Sequence, residues 1–335
     1  MNLPKPRVLY WTRITEQLAA LSAAIDASAV ELIVCHSEAE ALAALPSVDA
    51  ALLPGVAIGY SAELAQALGT APRLRWIQLV ATGREGLDAL GAPAHVTITD
   101  VGTTAAAVVG EHAMALLLAL ARNIGPAALM TERATWTRNE VVRGMRSLEG
   151  MTLCVAGFGR IGKETARRAQ AFGMDCIAVN RSGRNDAPEW AREVFALTDL
   201  HHALAQSDAV AISLPASPDT DGLFGASAWA ACRRGALVTN VGRGTVIDTD
   251  SLVQALHSGQ IGGAGLDVTE PEPLPDGHPL WSAPNVLITP HVGGSASRAG
   301  TQRLARLVED NLRRFARGEP LLNVVDAPRW TTWPG

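Results

Sequence analysis

Between Met151 and Gly173 the sequence passes from an apolar run, Met151 to Ala156, into Val155-Ala-Gly-Phe-Gly-Arg-Ile-Gly162, and then into a stretch with Ala166, Ala169 and Phe172 among its apolar positions. Gly157, Gly159 and Gly162 occupy the three glycine positions of G-x-G-x-x-G, with a strand expected before them and a helix over Arg160 to Gly173. A tight turn of this kind lets bare backbone approach a pyrophosphate, whose charge then rests on the amides of a helix N-terminus. Glycine-rich turns are common, so the pattern alone is weak; the order strand, glycines, helix gives it weight. Gly157 and Gly162-Lys163 also fall at G-x-x-x-x-G-K, but Glu164 stands where a triphosphate-binding loop needs a Ser or Thr for magnesium. Nucleotide triphosphate hydrolysis is excluded on that ground.

The glycine turn does not stand alone. Ahead of it, strand candidates at Val8–Trp11, Val30–Cys35, Ala50–Leu53, Leu74–Val80 and Val96–Asp100 alternate with alanine-rich helical stretches such as Thr15–Ala27 and Ser61–Leu68. After it come strands at Asp175–Asn180, Ala209–Leu214, Ala236–Val241, Gly263–Val268 and Val286–Thr289. Short apolar runs alternating with helices predict parallel sheets covered on both faces. The expected fold is α/β, with two doubly wound domains of Rossmann-like or flavodoxin-like type and a cleft between them. The last helix, Ser297 to Arg317, stops at Gly318 and is too long to cap the second domain alone. Residues 1–100 with 295–335 therefore form the expected substrate domain, and residues 101–294 the dinucleotide domain. The apolar helix Thr104 to Arg122 is expected to be buried all round, joining domains or sitting in a homodimer interface.

Composition narrows the partners. Lys and Arg number 28 against 33 Asp and Glu, a net charge of −5 with no long basic run, so nucleic acid is not an expected partner. Glu111 and His112 interrupt the longest apolar helix, which argues against a membrane span. Pro4, Lys5 and Pro6 precede the first apolar run and do not read as a secretory leader. Cys35, Cys154, Cys176 and Cys232 are widely spaced and form no C-x-x-C pair, so they read as reduced packing residues of a cytoplasmic protein.

In doubly wound sheets ligands lie beyond the carboxyl ends of the strands. Three clusters follow strands there: Thr239-Asn-Val-Gly-Arg-Gly244, Gly265-Leu-Asp-Val-Thr-Glu-Pro-Glu-Pro273 and Thr289-Pro-His-Val-Gly-Gly294. They present Arg243, Glu272 and His291. Such a trio facing a dinucleotide suits hydride transfer to a 2-oxo acid. A guanidinium fork holds the substrate carboxylate and polarises its carbonyl. Histidine, with a reference pKa of about 6.5, is suited to deliver the proton, and a glutamate behind the ring fixes its tautomer and favours the protonated form. Taken singly, Arg243 suits a cofactor phosphate or a neighbouring carboxylate equally well, Glu272 a solvent-facing loop, and His291 a satisfied turn. Their joint placement on successive strand ends carries the catalytic reading.

These motifs resemble those of the D-isomer-specific 2-hydroxyacid dehydrogenase family, which includes glyoxylate and hydroxypyruvate reductases and phosphoglycerate dehydrogenases. The resemblance runs through the glycine turn, Ser213–Phe224, Asn240–Asp248, Gly263–Pro275 and Thr289–Gly294, with Gly110–Arg122 matching the family's dimer-forming helix. It implies that Arg243, Glu272 and His291 are catalytic, that Asp267 meets the nicotinamide end, and that Leu214, Pro215 and Thr220 line the cofactor. Phe158, Arg160 and Ile161 within the glycine turn, and Val241, Gly242 and Gly293 in the later motifs, are expected to lie against the cofactor as well. It also implies a homodimer acting on a small 2-oxo or 2-hydroxy acid.

Two departures bear on specificity. NAD-binding relatives usually end the second strand of the cofactor domain with an aspartate; here that position is Asn180, 18 residues past Gly162 (180 minus 162), followed by Arg181 and Ser182. Arginine with a serine hydroxyl would hold a 2'-phosphate that a carboxylate repels, so NADP(H) is the expected cofactor, with NAD(H) possible. The bland alternative is that Arg181 stacks on adenine without reading the phosphate. The second departure is in Leu79-Val-Ala-Thr-Gly-Arg-Glu-Gly86, where Ala81, Thr82 and Gly83 align with the family's substrate-binding amides and Arg84 replaces a usual valine or isoleucine. Arg84 either points to solvent or adds charge near the pocket and favours a second anionic group. The leading expectation is an NADP(H)-dependent reductase of glyoxylate or hydroxypyruvate; a nicotinamide-sensing binding protein of the same fold and a short-form phosphoglycerate dehydrogenase remain as alternatives.

Overall fold

A computed structural model describes residues 5–56, 59–295 and 297–331; Pro4 lies outside them. The chain divides into two units, residues 1–105 with 297–335 and residues 106–296.

In the first unit β1 (Arg7–Tyr10), α1 (Thr15–Ala24), β2 (Glu31–Val34), α2 (Glu38–Ala44), β3 (Ala50–Leu53), α3 (Ala62–Thr70), β4 (Trp76–Leu79), α4 (Glu85–Leu90), β5 (Ala92–Pro93) and β6 (Thr97–Thr99) follow one another. Their main sheet runs β2-β1-β3-β4-β6, with every pair parallel. β3 and β4 are buried along their whole length, which is why they read as continuous apolar runs rather than alternating ones.

The second unit opens with α5 (Ala106–Ala121), α6 (Ile124–Glu132) and α7 (Arg138–Val142). It then alternates β7 (Thr152–Ala156), α8 (Arg160–Ala171), β8 (Asp175–Asn180), β9 (Glu193–Ala196), α9 (Leu200–Ala205), β10 (Ala209–Ile212), α10 (Ala226–Ala231), β11 (Ala236–Asn240), α11 (Thr249–His257), β12 (Ile261–Leu266) and β13 (Val286–Ile288). The sheet order is β13-β12-β11-β10-β7-β8-β9, again all parallel. The chain reverses direction across the sheet between β7 and β10, which is the switch point where such sheets open a crevice. α5 is not buried all round: Glu111 and Ala115 are exposed, while Val109, Gly110, Met114, Leu117 and Leu120 face inward. Its close seating depends on small partners. A Cβ at Gly110 would meet α8 backbone at 3.0 Å, and one at Gly265 would meet Leu116 Cβ at 2.8 Å. The glycine-rich β12 starts two residues before the expected strand, and its other glycines are also close-packed: a Cβ at Gly262 would lie 2.4 Å from the Gly235 carbonyl oxygen and one at Gly263 2.2 Å from Asn285 Nδ2.

The chain then returns to the first unit through α12 (Arg298–Arg317), capped by Ser297 accepting from the Gly300 amide and ended by Gly318 at φ 68°. α12 buries Leu304, Val308 and Leu312 together with Asn311. Asn311 is satisfied internally: its Nδ2 donates to Gln78 Oε1 at 2.9 Å and its Oδ1 accepts from the Leu322 amide at 2.8 Å. Finally β14 (Arg329–Trp330) pairs with β5, and the Trp330 ring fills the space that a Cβ at Gly69 would occupy, 2.3 Å away.

Candidate active site

In the second unit the ends of β7, β10, β11, β12 and β13 lie side by side on one edge of the parallel sheet. The loops leaving them carry, in that order, Gly157, Leu214, Arg243, Asp267 with Glu272, and His291. Topology alone thus sets the three ionisable residues on the loops of three adjacent strands, along the same edge as the glycine turn.

The turn is built as its letters suggest, with each glycine answering a different demand. Gly157 sits at φ 98°, and a Cβ there would lie 2.8 Å from the Ser213 carbonyl carbon; Gly162 packs so closely that a Cβ would lie 2.0 Å from the Gly157 carbonyl oxygen. Both are required by the protein itself. Gly159 is different: a Cβ there would meet nothing within 4 Å. It is the N-cap of α8, and no side chain caps that end of the helix. A glycine unexplained by internal packing, at an uncapped helix N-terminus, is what close approach of a pyrophosphate demands. The turn therefore fits a dinucleotide.

The other cofactor residues divide by what holds them. Phe158 is buried, its ring in the core with Met114 and Leu117, so it can offer a ligand only its backbone; Arg160 is exposed and Ile161 half-buried at the start of α8. Leu214 is buried and Pro215 exposed. The Thr220 hydroxyl donates within its own loop to the Pro215 carbonyl at 2.6 Å, and Ser213 Oγ donates to the Gly157 carbonyl at 2.8 Å, tying the first loop to the fourth strand's.

Asn180 acts on the loop that follows it. Its Oδ1 accepts from the amides of Ser182 and Gly183 at 3.0 and 2.7 Å, and its Nδ2 donates to the Arg184 carbonyl at 2.8 Å. This side chain shapes a turn that leaves Arg181, Ser182 and Arg184 exposed. The same device recurs at the end of β11. Asn240 Oδ1 accepts from the Gly242 amide at 2.9 Å and its Nδ2 donates to the Arg243 carbonyl at 2.9 Å, fixing the Val241–Arg243 backbone. Arg243 Nη1 donates to the Gly242 carbonyl at 2.6 Å.

The structure joins Glu272 and His291 directly, with Nδ1 2.6 Å from Oε1. An ionised carboxylate has only acceptors, so Nδ1 carries the proton and Nε2 is left to exchange one. Both side chains are close to half exposed, at 41% and 48%, which leaves the pair within reach of a substrate.

Asp267, 4% exposed, is bound inside its own loop system: Thr289 Oγ1 donates to Oδ1 at 2.6 Å and the Val292 and Gly293 amides donate to Oδ1 and Oδ2 at 2.9 and 2.8 Å. His112 Nε2 lies 3.2 Å from the same Oδ1. Sequence reading missed His112, Thr289, Ser213 and Asn240. For Asn240 the signal was present, an Asn two residues before Gly at a strand end; for His112 it was only a polar residue within an apolar helix.

In the first unit Ala81, Thr82 and Gly83 form the loop between β4 and α4, with Gly83 buried and Thr82 exposed. The carbonyl of Gly83 packs against Gly55, where a Cβ would lie 2.9 Å away. Arg84 pairs with Asp88 at 2.7 Å and donates to the Asp326 carbonyl at 2.6 Å, its side chain still partly exposed.

Among the described residues no group of His, Cys, Asp and Glu is arranged to hold a metal ion, and no single helix is long and apolar enough to cross a membrane. The cysteines are buried, and burial pushes the thiols of Cys154, Cys176 and Cys232 up to about 12. Buried, protonated thiols are poor nucleophiles.

Comparison with known proteins agrees with this geometry. Residues 114–293 match the family described as D-isomer specific 2-hydroxyacid dehydrogenase, NAD binding domain. The chain is 36% identical over 270 residues to a glycerate dehydrogenase of Methylorubrum extorquens, covering 78% of this chain and 82% of that one. It is 34% identical over 275 residues to a glyoxylate reductase of Thermococcus litoralis, covering 80% and 81%. Among solved structures, a D-isomer specific 2-hydroxyacid dehydrogenase of Xanthobacter autotrophicus in complex with NADPH and MES superposes with a TM-score of 0.78 at 28% identity, covering 96% of this chain and 98% of that one. A family member from Aeromonas salmonicida gives 0.78 at 29% identity, covering 96% and 99%. The chain belongs to the D-isomer specific 2-hydroxyacid dehydrogenase family, whose members are pyridine-nucleotide-dependent oxidoreductases of small 2-hydroxy and 2-oxo acids.

Proposed function

We propose that this enzyme is an NADP(H)-preferring reductase of a small 2-oxo acid, glyoxylate or hydroxypyruvate, with His291 as its proton donor. The carrying observation is the 2.6 Å bond between His291 Nδ1 and Glu272, made by two loops on the same sheet edge as the glycine turn.

A reduced nicotinamide, when bound, supplies a hydride to the carbonyl carbon. His291 delivers a proton from Nε2 to the carbonyl oxygen, so that C=O, hydride and proton become CH–OH. Glu272 orients the ring and accepts from Nδ1 throughout. Arg243, on the loop braced by Asn240, holds the substrate carboxylate and polarises its carbonyl. General acid catalysis of this kind contributes roughly 10² to 10⁴ in rate.

The NADP(H) reading is supported by the loop after β8, where Asn180 spends its polar atoms on the turn and leaves Arg181, Ser182 and Arg184 exposed. The NADPH complex of the Xanthobacter relative is in keeping with it. The four cysteines, none in a disulfide, support a reducing, cytoplasmic setting.

Initial rates with a panel of 2-oxo acids, each run with NADPH and with NADH, test the whole reading. The expected result is highest kcat/KM for glyoxylate or hydroxypyruvate and a ratio above one for NADPH over NADH. A larger 2-oxo acid as best substrate overturns the substrate class, and a ratio below one overturns the cofactor.

A further inference from the structure

Behind the His291 turn sits an imidazole to which the reaction as written gives no part, that of His112 on α5. Three consecutive amides of the turn end on one residue. Those of His291, Val292 and Gly293 donate to Asp267, at its carbonyl oxygen (2.8 Å), Oδ1 (2.9 Å) and Oδ2 (2.8 Å). The grip is needed because His291 has a φ of 53°, a left-handed conformation that is costly for a residue with a side chain. The orientation of the His291 ring therefore depends on how the Asp267 carboxylate is held.

That carboxylate is buried, and a buried charge requires donors. Thr289 Oγ1 has one hydrogen and gives it to Asp267 Oδ1 at 2.6 Å. The Thr289 oxygen, 2.9 Å from His112 Nε2, then accepts the proton of that nitrogen, which also faces Asp267 Oδ1 at 3.2 Å. The ring additionally touches the turn: a Cβ at Gly293 would lie 3.2 Å from His112 Cδ2 and 2.7 Å from Asp267 Oδ2. His112 thus closes a chain of donors that runs from α5 through Thr289 and Asp267 to the backbone of residues 291–293.

We propose that His112 is a positioning residue for this reaction: by donating from Nε2 it holds Thr289 and Asp267 in the arrangement that aims the His291 imidazole. The inference rests on the reading of His291 as proton donor. Misplacing a catalytic group by about 1 Å costs on the order of 10²-fold, so loss of this support is expected to appear in kcat.

Four experiments test it. His112→Leu keeps bulk and removes the donor; it is expected to lower kcat on the order of tenfold, with NADPH affinity by fluorescence titration within about twofold of wild type. His112→Gln, which restores an N–H near the Nε2 position, is expected to recover most of that loss. In the cofactor-free protein, hydrogen exchange of the peptide spanning residues 288–295 is expected to quicken in His112→Leu while other peptides of the second unit keep their protection. In a His291→Ala background, His112→Leu is expected to cost nothing further. Wild-type kcat in His112→Leu, equal losses in Leu and Gln variants, exchange that rises throughout the unit, or additive losses in the double variant would each overturn the proposal. Failure of the proton-donor reading looks different: His291→Ala would turn over normally, and the exchange of residues 288–295 would still decide whether His112 holds the turn.

Discussion

Nδ1 of His291 lies 2.6 Å from Oε1 of Glu272, across 19 residues of sequence and between loops that leave adjacent strands. The bond fixes which ring nitrogen faces the substrate. Glu272→Gln keeps an acceptor oxygen in place and removes its charge, so kcat is expected to fall about ten- to a hundredfold. Glu272→Ala, which lets the ring turn, is expected to cost more. Steady-state kinetics with saturating cofactor check this, and unchanged kcat in both variants would remove Glu272 from the mechanism.

Gly159 and Gly162 are three residues apart and should fail in different ways. A Cβ at Gly162 would collide with the Gly157 carbonyl at 2.0 Å, whereas one at Gly159 meets nothing within 4 Å. Gly162→Ala is expected to destabilise the protein by roughly 1–3 kcal/mol, read as a lower Tm. Gly159→Ala is expected to melt with the wild type while its NADPH affinity drops about tenfold or more, because the methyl occupies the space the pyrophosphate needs. Equal melting losses in the two variants would contradict the distinction.

The turn after β8 is held by Asn180 and offers Arg181 and Ser182 to solvent. Arg181→Ala with Ser182→Ala is expected to lower the NADPH-over-NADH ratio of kcat/KM about tenfold or more, mainly through KM for NADPH. If both cofactors weaken equally, Arg181 is stacking on adenine and not reading the phosphate.

Much of this was legible before the fold was seen, and the limits have physical causes. β3 is apolar along its whole length and β8 carries the apolar run Cys176–Val179 between Asp175 and Asn180, because the buried part of a parallel strand leaves no room for polar residues. Arg243, Glu272 and His291 stood out because each follows such a run at a turn. β9 and β14 escaped: one is an edge strand and the other spans two residues, and neither needs an apolar signature. His112 and Thr289 were illegible as partners because they meet across 177 residues. The partner of Arg84 was hidden for the same reason, since the Asp326 carbonyl lies 242 residues away; only the returning tail of the chain brings them together.

Because Arg84 is committed to Asp88 and to the Asp326 carbonyl, it should not select for substrates with a second anionic group. Arg84→Ala is expected to leave the ratio of kcat/KM between glyoxylate and a dicarboxylic 2-oxo acid within about twofold of wild type. Its effect should appear instead as earlier melting of the first unit, where the tail is tied to the 81–84 loop. A selective loss against the dicarboxylic acid would return Arg84 to the substrate.

The homodimer expected through the α5 sequence has a second candidate surface beside that helix. α5 spends Val109, Met114, Leu117 and Leu120 on its own unit, whereas Ile124, Leu129, Trp136 and Val142, in the segment from α6 to α7, are exposed at 55%, 49%, 87% and 46%. Exposed apolar side chains suit association, and a second copy of the chain is the occupant the family resemblance implies. Trp136→Asp with Leu129→Asp places two charges there without touching α5 or the sheet. Sedimentation equilibrium is expected to give a dimer for the wild type and a folded monomer for the double variant, since buried unpaired carboxylates cost more than the contacts they replace. A wild-type monomer would dismiss the dimer; a dimer that survives both substitutions would move its interface elsewhere.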